Sequence, residues 1–278
     1  MLKKNVLLII ICILISVLGN SQNPIDTLDT HMYRINPIIS SIVAGAGFGL
    51  SYWGSTRIEG KEQLTEMELS ELDRMDVPSF DRGALDLDPS FRRNAERFSD
   101  AVLFVNVISP ALLYLDKRVR KEWLDVLLLY LETQGIGLNL YSWGFPQYMD
   151  RIRPAAYYEE LSLGRRTDGK NKNSFFSGHV SLGATSTFFT AKVINDFHPE
   201  WTYQRFLTYG AAFIPPAIVG YFRYRALKHY PSDILVGMLV GAATGILVPQ
   251  FHKNKKRKLG FSLFYEAEGK GLAFLYRF

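Results

Sequence analysis

Cysteine is almost absent from this chain. Its 278 residues include a single cysteine, Cys12, which lies in the N-terminal apolar stretch. One cysteine excludes an internal disulfide, and its place in the chain argues against thiol chemistry in the mature protein. Internal repeats and low-complexity tracts are also absent, which argues against a repeat architecture. Histidine is scarce as well, with five in the whole chain.

What the chain has in quantity is apolar sequence. Hydrophobic residues make up 47% of it and aromatic residues 14%. They gather in runs close to the roughly 20 residues that cross a hydrocarbon layer. The candidate segments are residues 37–54, 98–115, 123–145, 179–193, 206–221 and 233–251. The pattern predicts an all-α integral membrane bundle of about five to six spans.

Positive charge is concentrated in two short stretches. Residues 117–121 separate the second and third apolar segments, and residues 253–258 follow the last one. Because basic loops stay on the cytoplasmic side of a membrane, both stretches are expected there. Alternation of the spans then predicts a multi-pass protein of the bacterial inner membrane, with its functional residues facing the periplasm. A basic run directly behind a membrane helix argues against a nucleic-acid partner.

The N-terminus is typical of an exported protein. Two lysines precede an apolar stretch, and small and polar residues follow it, so residues 1–21 are interpreted as a signal peptide. A short uncleaved anchor is the alternative. In either case residue 22 would begin outside, and a full crossing by residues 37–54 would place the later helix ends inside. We therefore expect this glycine-rich segment to be re-entrant or to lie on the surface.

Three further regions complete the predicted organisation. Residues 22–97 form an N-terminal segment with one apolar helix and an acidic connector, in which Thr65 is expected to cap a short helix. Residues 98–251 form the membrane core. Residues 252–278 combine the basic stretch with alternating residues around a Gly-Lys-Gly turn, which predicts a β-hairpin.

Charged and titratable residues lie at the ends of three apolar segments. Placing charge at such positions in a membrane costs free energy, so these residues usually have a chemical function. The clusters are residues 150–154, 172–179 and 223–233. Two histidines, an aspartate and several arginines would then converge at one face. Arginines hold oxyanions and imidazoles attack or protonate, so the set indicates phosphate transfer. His179, His229 and Asp233 could ligate zinc, but the arginines among them would repel a cation.

The three clusters resemble the motifs of the type 2 phosphatidic acid phosphatase superfamily, which includes bacterial acid phosphatases and vanadium haloperoxidases. Arg153-Pro154 matches the end of the first motif, although its lysine position holds Pro146. Phe176-Ser177-Gly178-His179 matches the second except for the initial proline. In the third, Arg223, His229 and Asp233 match, and Phe222 replaces a serine.

The resemblance implies roles for these residues. His229 is the nucleophile that forms a phosphohistidine, Asp233 orients it by direct contact, and His179 protonates the leaving group. The phosphate contacts that the resemblance implies are Arg153, Ser177, Gly178, Arg223 and, in place of the missing lysine, Arg151. No metal and no cofactor is expected.

The function that follows is hydrolysis of a phosphorylated membrane lipid. Undecaprenyl pyrophosphate, phosphatidylglycerol phosphate, phosphatidic acid and lipid A phosphates are the candidate substrates. Phosphoryl transfer to another lipid or sugar is one alternative. A non-enzymatic membrane protein with a decayed site is the other, and the departures at Pro146 and Phe222 are its support. The oligomeric state is left open.

Overall fold

A computed structural model describes residues 31–254 and the backbone of residues 259–266 and 269–276. The signal-peptide prediction for residues 1–21 lies outside the described residues. Residues 35–250 form one compact unit, and the described residues on either side of them belong to a second.

The described chain is helical up to its C-terminal region. The α-helices are α1 (Pro37–Glu59), α2 (Glu66–Ser70), α3 (Arg92–Ile108), α4 (Lys117–Arg120), α5 (Trp123–Ser142), α6 (Phe145–Tyr148), α7 (Leu163–Arg166), α8 (Gly178–Phe197), α9 (Tyr203–Arg225) and α10 (Pro231–His252). Each of the six predicted apolar segments forms a long helix, which confirms the all-α class. Short 3₁₀ turns occupy much of the connections.

Membrane crossing is indicated for two of these helical segments, not for six. Pro89–Leu115 and Pro231–His252 are long and apolar enough to cross a membrane. The predicted number of five to six spans is therefore not shown. Helix α8 illustrates why: it buries Ser181, Thr185, Ser186 and Asn195 inside the bundle, so its composition is mixed.

Helix α1 argues against the re-entrant alternative for residues 37–54, whereas a position on the membrane surface stays a prediction. A re-entrant segment would be broken, whereas Pro37–Glu59 is one continuous helix of 23 residues. It lies lengthwise along α5 and in the same direction: Asn139 donates to the Gly47 carbonyl (2.7 Å), and Trp143 to the Leu50 carbonyl (3.0 Å). Its buried face carries small residues, which lets the two backbones approach closely.

Three glycines bring α10 against α8. A Cβ atom added at Gly237, Gly241 or Gly245 would lie 2.5, 2.2 or 2.5 Å from a backbone carbonyl oxygen of α8 or its N-cap. The spacing of four residues puts all three on one face of α10. The two helices therefore pack backbone to backbone, and their N-terminal ends are held side by side.

The acidic connector also forms as predicted at Thr65. The Thr65 hydroxyl accepts the amide of Glu68 (3.1 Å), and the Glu68 carboxylate accepts the amide of Thr65 (2.6 Å). This reciprocal pair is a capping box.

The second unit contains the predicted hairpin. Leu259–Glu266 (β1) pairs antiparallel with Gly269–Tyr276 (β2), with Leu259 opposite Tyr276. In the same unit, Tyr33 forms an isolated bridge with Lys253.

Candidate active site

The three sequence clusters meet at one end of the bundle, where α9 ends and where α8 and α10 begin. The amide of Ser177 donates to the carbonyl of Asp233 (3.0 Å), which ties the second cluster to the third. The amide of Ser174 donates to the carbonyl of Arg151 (3.0 Å), which ties the second to the first. The structure thus brings together residues that are about 80 positions apart in sequence.

His229 lies at the centre of this meeting point and is 1% exposed. Its Nδ1 atom lies 2.7 Å from the carbonyl oxygen of Ser174, so Nδ1 carries the proton and Nε2 is the basic nitrogen. Burial, reinforced by the charges of Arg153 and Arg223, holds the pKa of His229 well below its usual value. The imidazole is therefore neutral at pH 7.

Asp233 does not orient His229 in the way the sequence predicts. Its Oδ2 atom lies 3.8 Å from Nδ1 of His229, which is beyond hydrogen-bond distance. That oxygen instead accepts the hydroxyl of Ser174 (2.6 Å) and the amide of Tyr230 (2.8 Å). Asp233 is fully buried and fixes the Ser174 segment, whose carbonyl then orients the ring. The physical reason is distance: the Ser174 carbonyl oxygen lies 2.7 Å from Nδ1, closer than the Asp233 carboxylate, and therefore takes its hydrogen bond.

Arg153 and Arg223 are both buried, at 8% and 5% exposure. Nε and Nη2 of Arg153 donate to the carbonyl of Asn173, which holds the guanidinium in place. Nη1 of Arg223 donates weakly to Ser99 (3.4 Å) and Asp100 (3.5 Å). Its Nε has no hydrogen-bond partner among the described residues. Buried guanidinium donors without a full set of partners favour an oxyanion.

Ser177 and Gly178 open helix α8. The Ser177 hydroxyl is buried and forms no hydrogen bond within the described part of the chain. It does not cap its own helix either. A Cβ atom at Gly178 would lie 2.9 Å from the ring of Tyr141, so a side chain there would displace that ring. A free hydroxyl at a helix N-terminus is suited to an anion.

His179 follows directly and is paired with a residue that the sequence does not single out. Its Nε2 lies 3.2 Å from Oδ1 of Asp100 on α3. Both side chains are partly exposed, so a substrate can reach them. The Asp100 carboxylate accepts a hydrogen bond from Nε2 of His179 when that nitrogen carries a proton.

Arg151 occupies a different position from the one predicted. Its guanidinium donates to Asp233 and to Asp81 (2.7 Å), and it stacks over the ring of Tyr230. Asp81 also accepts the amide and hydroxyl of Ser232, at 3.0 and 2.7 Å. Two carboxylates therefore use the donors of Arg151, and the residue braces the start of α10.

Lys228 is the cation nearest to His229 in sequence, and its charge contributes to the low pKa of His229. Its Nζ lies 2.9 Å from Glu96. The position of the missing lysine, Pro146, is buried in α6.

Sequence reasoning missed four residues of this arrangement. Ser174 and Lys228 lie within the sequence clusters 172–179 and 223–233, so their position beside motif residues could have identified them. Asp81 and Asp100 lie in the connector and in α3, far from the motifs, and ordinary acidic residues surround them. Only the folded contacts identify them.

Comparison with known proteins supports the reading of the motifs. The family model described as PAP2 superfamily matches residues 124–257, which contain all three clusters. Members of this superfamily are phosphatases that act on phosphate esters. Neither a curated protein nor a solved structure matches the chain. By this match, residues 124–257, just under half of the chain, are assigned to the PAP2 superfamily.

Proposed function

We propose that this protein is a membrane phosphatase that hydrolyses phosphorylated lipids through a phosphohistidine, without a metal. The observation that carries the proposal is the pairing of a buried, neutral His229 with buried donors that lack partners. Those donors are the hydroxyl of Ser177 and Nε of Arg223. Together they form a nucleophile beside an oxyanion clamp.

The first chemical step belongs to His229. Because Nδ1 donates to the Ser174 carbonyl, the lone pair of Nε2 is free to attack phosphorus. A P–N bond forms, the ester P–O bond breaks, and positive charge develops on the ring. The Ser174 carbonyl and the Asp233 carboxylate behind it stabilise that charge.

His179 serves both halves of the reaction. As general acid it gives a proton to the leaving oxygen, and the contact of its Nε2 with Asp100 positions the ring. As general base it then takes a proton from the water that attacks phosphorus. The P–N bond breaks, phosphate leaves and His229 returns to its neutral state.

The clamp consists of Arg153, Arg223, Ser177 and the backbone at Gly178. These donors meet the phosphoryl oxygens, where charge is carried in the transition state. We assign the role of the missing motif lysine to Lys228. Arg151 acts as a positioning residue that holds Asp233.

The membrane setting is supported by the outer faces of the helices. Large apolar side chains are exposed there, including Leu115 (78%), Phe206 (73%) and Leu239 (70%). Exposed apolar surface of this extent is expected against lipid. The basic residues 117–121 lie at the end opposite to His229, which favours a periplasmic site in a bacterial inner membrane.

Histidine substitutions test the proposal. His229→Ala and His179→Ala are each expected to lower phosphate release from a lipid phosphate by at least about a thousandfold. Only His229→Ala should also abolish an acid-labile phosphoenzyme, because His179 does not bond to phosphorus. His198→Ala is the matched control, since His198 pairs with Asp116 at the other end of the bundle. Normal turnover by His229→Ala would contradict the assignment.

Chelation provides a separate measurement. Activity should persist in excess chelator and should be inhibited by vanadate, which mimics five-coordinate phosphorus. Loss of activity that magnesium or zinc restores would contradict the metal-free mechanism.

A further inference from the structure

A second basic pocket lies beside the clamp. It has a volume of about 60 Å³ for water-sized contents, enough for several solvent molecules or one tetrahedral anion. Five cations contribute to its lining, Arg92, Arg153, Arg165, Lys170 and Lys228, with Asp168 as the one acid among the lining residues. It shares Arg153 and Lys228 with the surroundings of His229.

The carboxylates near this pocket are fewer than its five cations and neutralise it only in part. Glu59 lies 3.7 Å from Lys170, and both of these side chains are exposed. Glu96 lies 2.9 Å from Lys228 and 3.7 Å from Arg92, so it serves two cations. The Asp168 carboxylate accepts the amide of Lys170 and caps its own turn. Arg165 forms no ion pair within the described part of the chain.

Gathering like charges costs free energy. Burial and the neighbouring charge of Arg153 both lower the pKa of Lys228. A bound polyanion would offset the repulsion that remains among these groups.

The geometry next to His229 limits the class of ligand that can occupy the pocket. Arg153 is 8% exposed and its Nη1 atom forms no hydrogen bond among the described residues, because Nε and Nη2 both point to Asn173. Arg153 and Lys228 form a wall common to the clamp and the pocket. Two anionic groups bound on the two sides of one guanidinium must be close neighbours. Adjacent phosphates that share a bridging oxygen meet that requirement.

We infer that this pocket is a second phosphate subsite and that the substrate is a lipid diphosphate. The inference rests on the proposed function. The terminal phosphoryl group lies in the clamp and transfers to Nε2 of His229. The bridging P–O bond breaks, and the bridging oxygen receives the proton of His179. The lipid monophosphate leaves from the pocket, and water releases inorganic phosphate from His229.

A substrate pair with identical chains tests this inference. Purified full-length protein, in non-ionic detergent without added lipid, is assayed with farnesyl diphosphate and farnesyl monophosphate. The wild type should favour the diphosphate in kcat/KM by at least about tenfold, a typical gain from charge-assisted contacts. The double variant Arg165→Gln/Lys170→Gln should lose most of that preference.

The matched control removes two charges outside the pocket. Arg93→Gln/Arg97→Gln changes two exposed arginines of α3 and should keep the wild-type preference. An unchanged preference in Arg165→Gln/Lys170→Gln, or no preference in the wild type, would overturn the inference.

Two further measurements distinguish a diphosphate subsite from a site for a neighbouring lipid headgroup and from failure of the proposed function. If the pocket holds the headgroup of a neighbouring lipid, added phosphatidylglycerol will change turnover of the monophosphate, and the wild type will show no preference for the diphosphate. That result overturns the substrate inference. Binding of methylenediphosphonate, measured as a rise in Tm, does not need turnover. If neither farnesyl compound is hydrolysed, the proposed function fails; a Tm rise that Arg165→Gln/Lys170→Gln abolishes would still support the subsite.

Discussion

At the scale of single residues, the environment of His229 decides its chemistry. An exposed histidine is partly protonated near neutral pH and is then no nucleophile. Burial and the cations around His229 keep its ring neutral, and the Ser174 carbonyl selects the tautomer. In the proposed mechanism, the cations that bind the substrate also keep the nucleophile neutral.

Lys228 allows this coupling to be measured. Its charge lowers the pKa of His229, so Lys228→Gln should raise that pKa. The acid limb of kcat/KM, which is expected to report protonation of His229 in the free enzyme, should move to higher pH. A pH profile with a soluble phosphate ester between about pH 4 and 9 measures it.

The control for this measurement is Arg97→Gln, which removes an exposed cation of α3. Its acid limb should match the wild type. A limb that stays in place in Lys228→Gln, with kcat/KM lowered, would mean that Lys228 binds substrate without tuning His229.

At the scale of elements, the turn before His229 is unusual. Helix α9 ends in a Schellman motif, with the amide of Leu227 bonded to Tyr224 and that of Lys228 to Arg223. The left-handed position, φ 59°, holds Leu227 where glycine is usual. Leu227 is fully buried against Ala155 and Tyr158, and this packing offsets the strain. The turn therefore holds Lys228 and His229 firmly against the first motif.

The glycine stripe of α10 has an equally direct role. Gly237 lies against the carbonyl of Ser177, the residue that opens α8. Because the stripe aligns α8 with α10, it sets the distance between His179 and Asp233. Interhelical packing of small residues thus determines the geometry of the site.

Gly241→Ala tests this role at a distance from the chemistry. The new Cβ would lie 2.2 Å from the Ser181 carbonyl oxygen, so the helices must separate. We expect destabilisation of about 1–3 kcal/mol and a Tm lowered by several degrees. kcat should fall as well. Thermal unfolding in detergent and phosphate release measure the two effects.

Gly210→Ala is the matched control, because a Cβ there meets nothing within 4 Å. It should leave activity unchanged and raise stability slightly, as alanine does in helices. An equal loss in both variants would mean that glycine flexibility, not close packing, matters.

At the scale of the whole molecule, the direction of α1 is coupled to that of α5. A helix of 23 residues is about 35 Å long, enough to cross a hydrocarbon layer of about 30 Å. It runs parallel to α5, which starts directly after the basic residues 117–121. If α5 crosses the membrane, α1 crosses it in the same direction and starts on the cytoplasmic side.

Single cysteines placed in a Cys12→Ser background test this topology. A thiol reagent that cannot enter the cytoplasm should label Ser162→Cys, in the loop beside the site. It should not label Ile35→Cys, just before α1, or Lys255→Cys, in the basic stretch. Labelling of both Ile35→Cys and Ser162→Cys, without labelling of Lys255→Cys, would mean that α1 does not cross the membrane. Labelling at Lys255→Cys but not at Ser162→Cys would invert the protein.

The motifs could be recognised from the sequence because they are short and contiguous. Arg153, Ser177, Arg223 and His229 are specified by neighbours within a few positions, and the apolar runs place them at helix ends. Local patterns also predicted the helix cap at Thr65 and the C-terminal hairpin. Local sequence patterns of this kind can be recognised without any knowledge of the fold.

The tertiary structure alone decided which groups meet. Asp233 is four residues from His229, yet the Ser174 carbonyl occupies Nδ1, and Arg151 faces Asp81 and Asp233. Such pairings depend on hydrogen-bond distances of about 3 Å between segments far apart in sequence, and no residue pattern encodes them. The sequence by itself determined the helices, the motifs and the family. Packing determined the orientation of the nucleophile, the partner of each arginine and the basic pocket, because only packing sets the distances between segments.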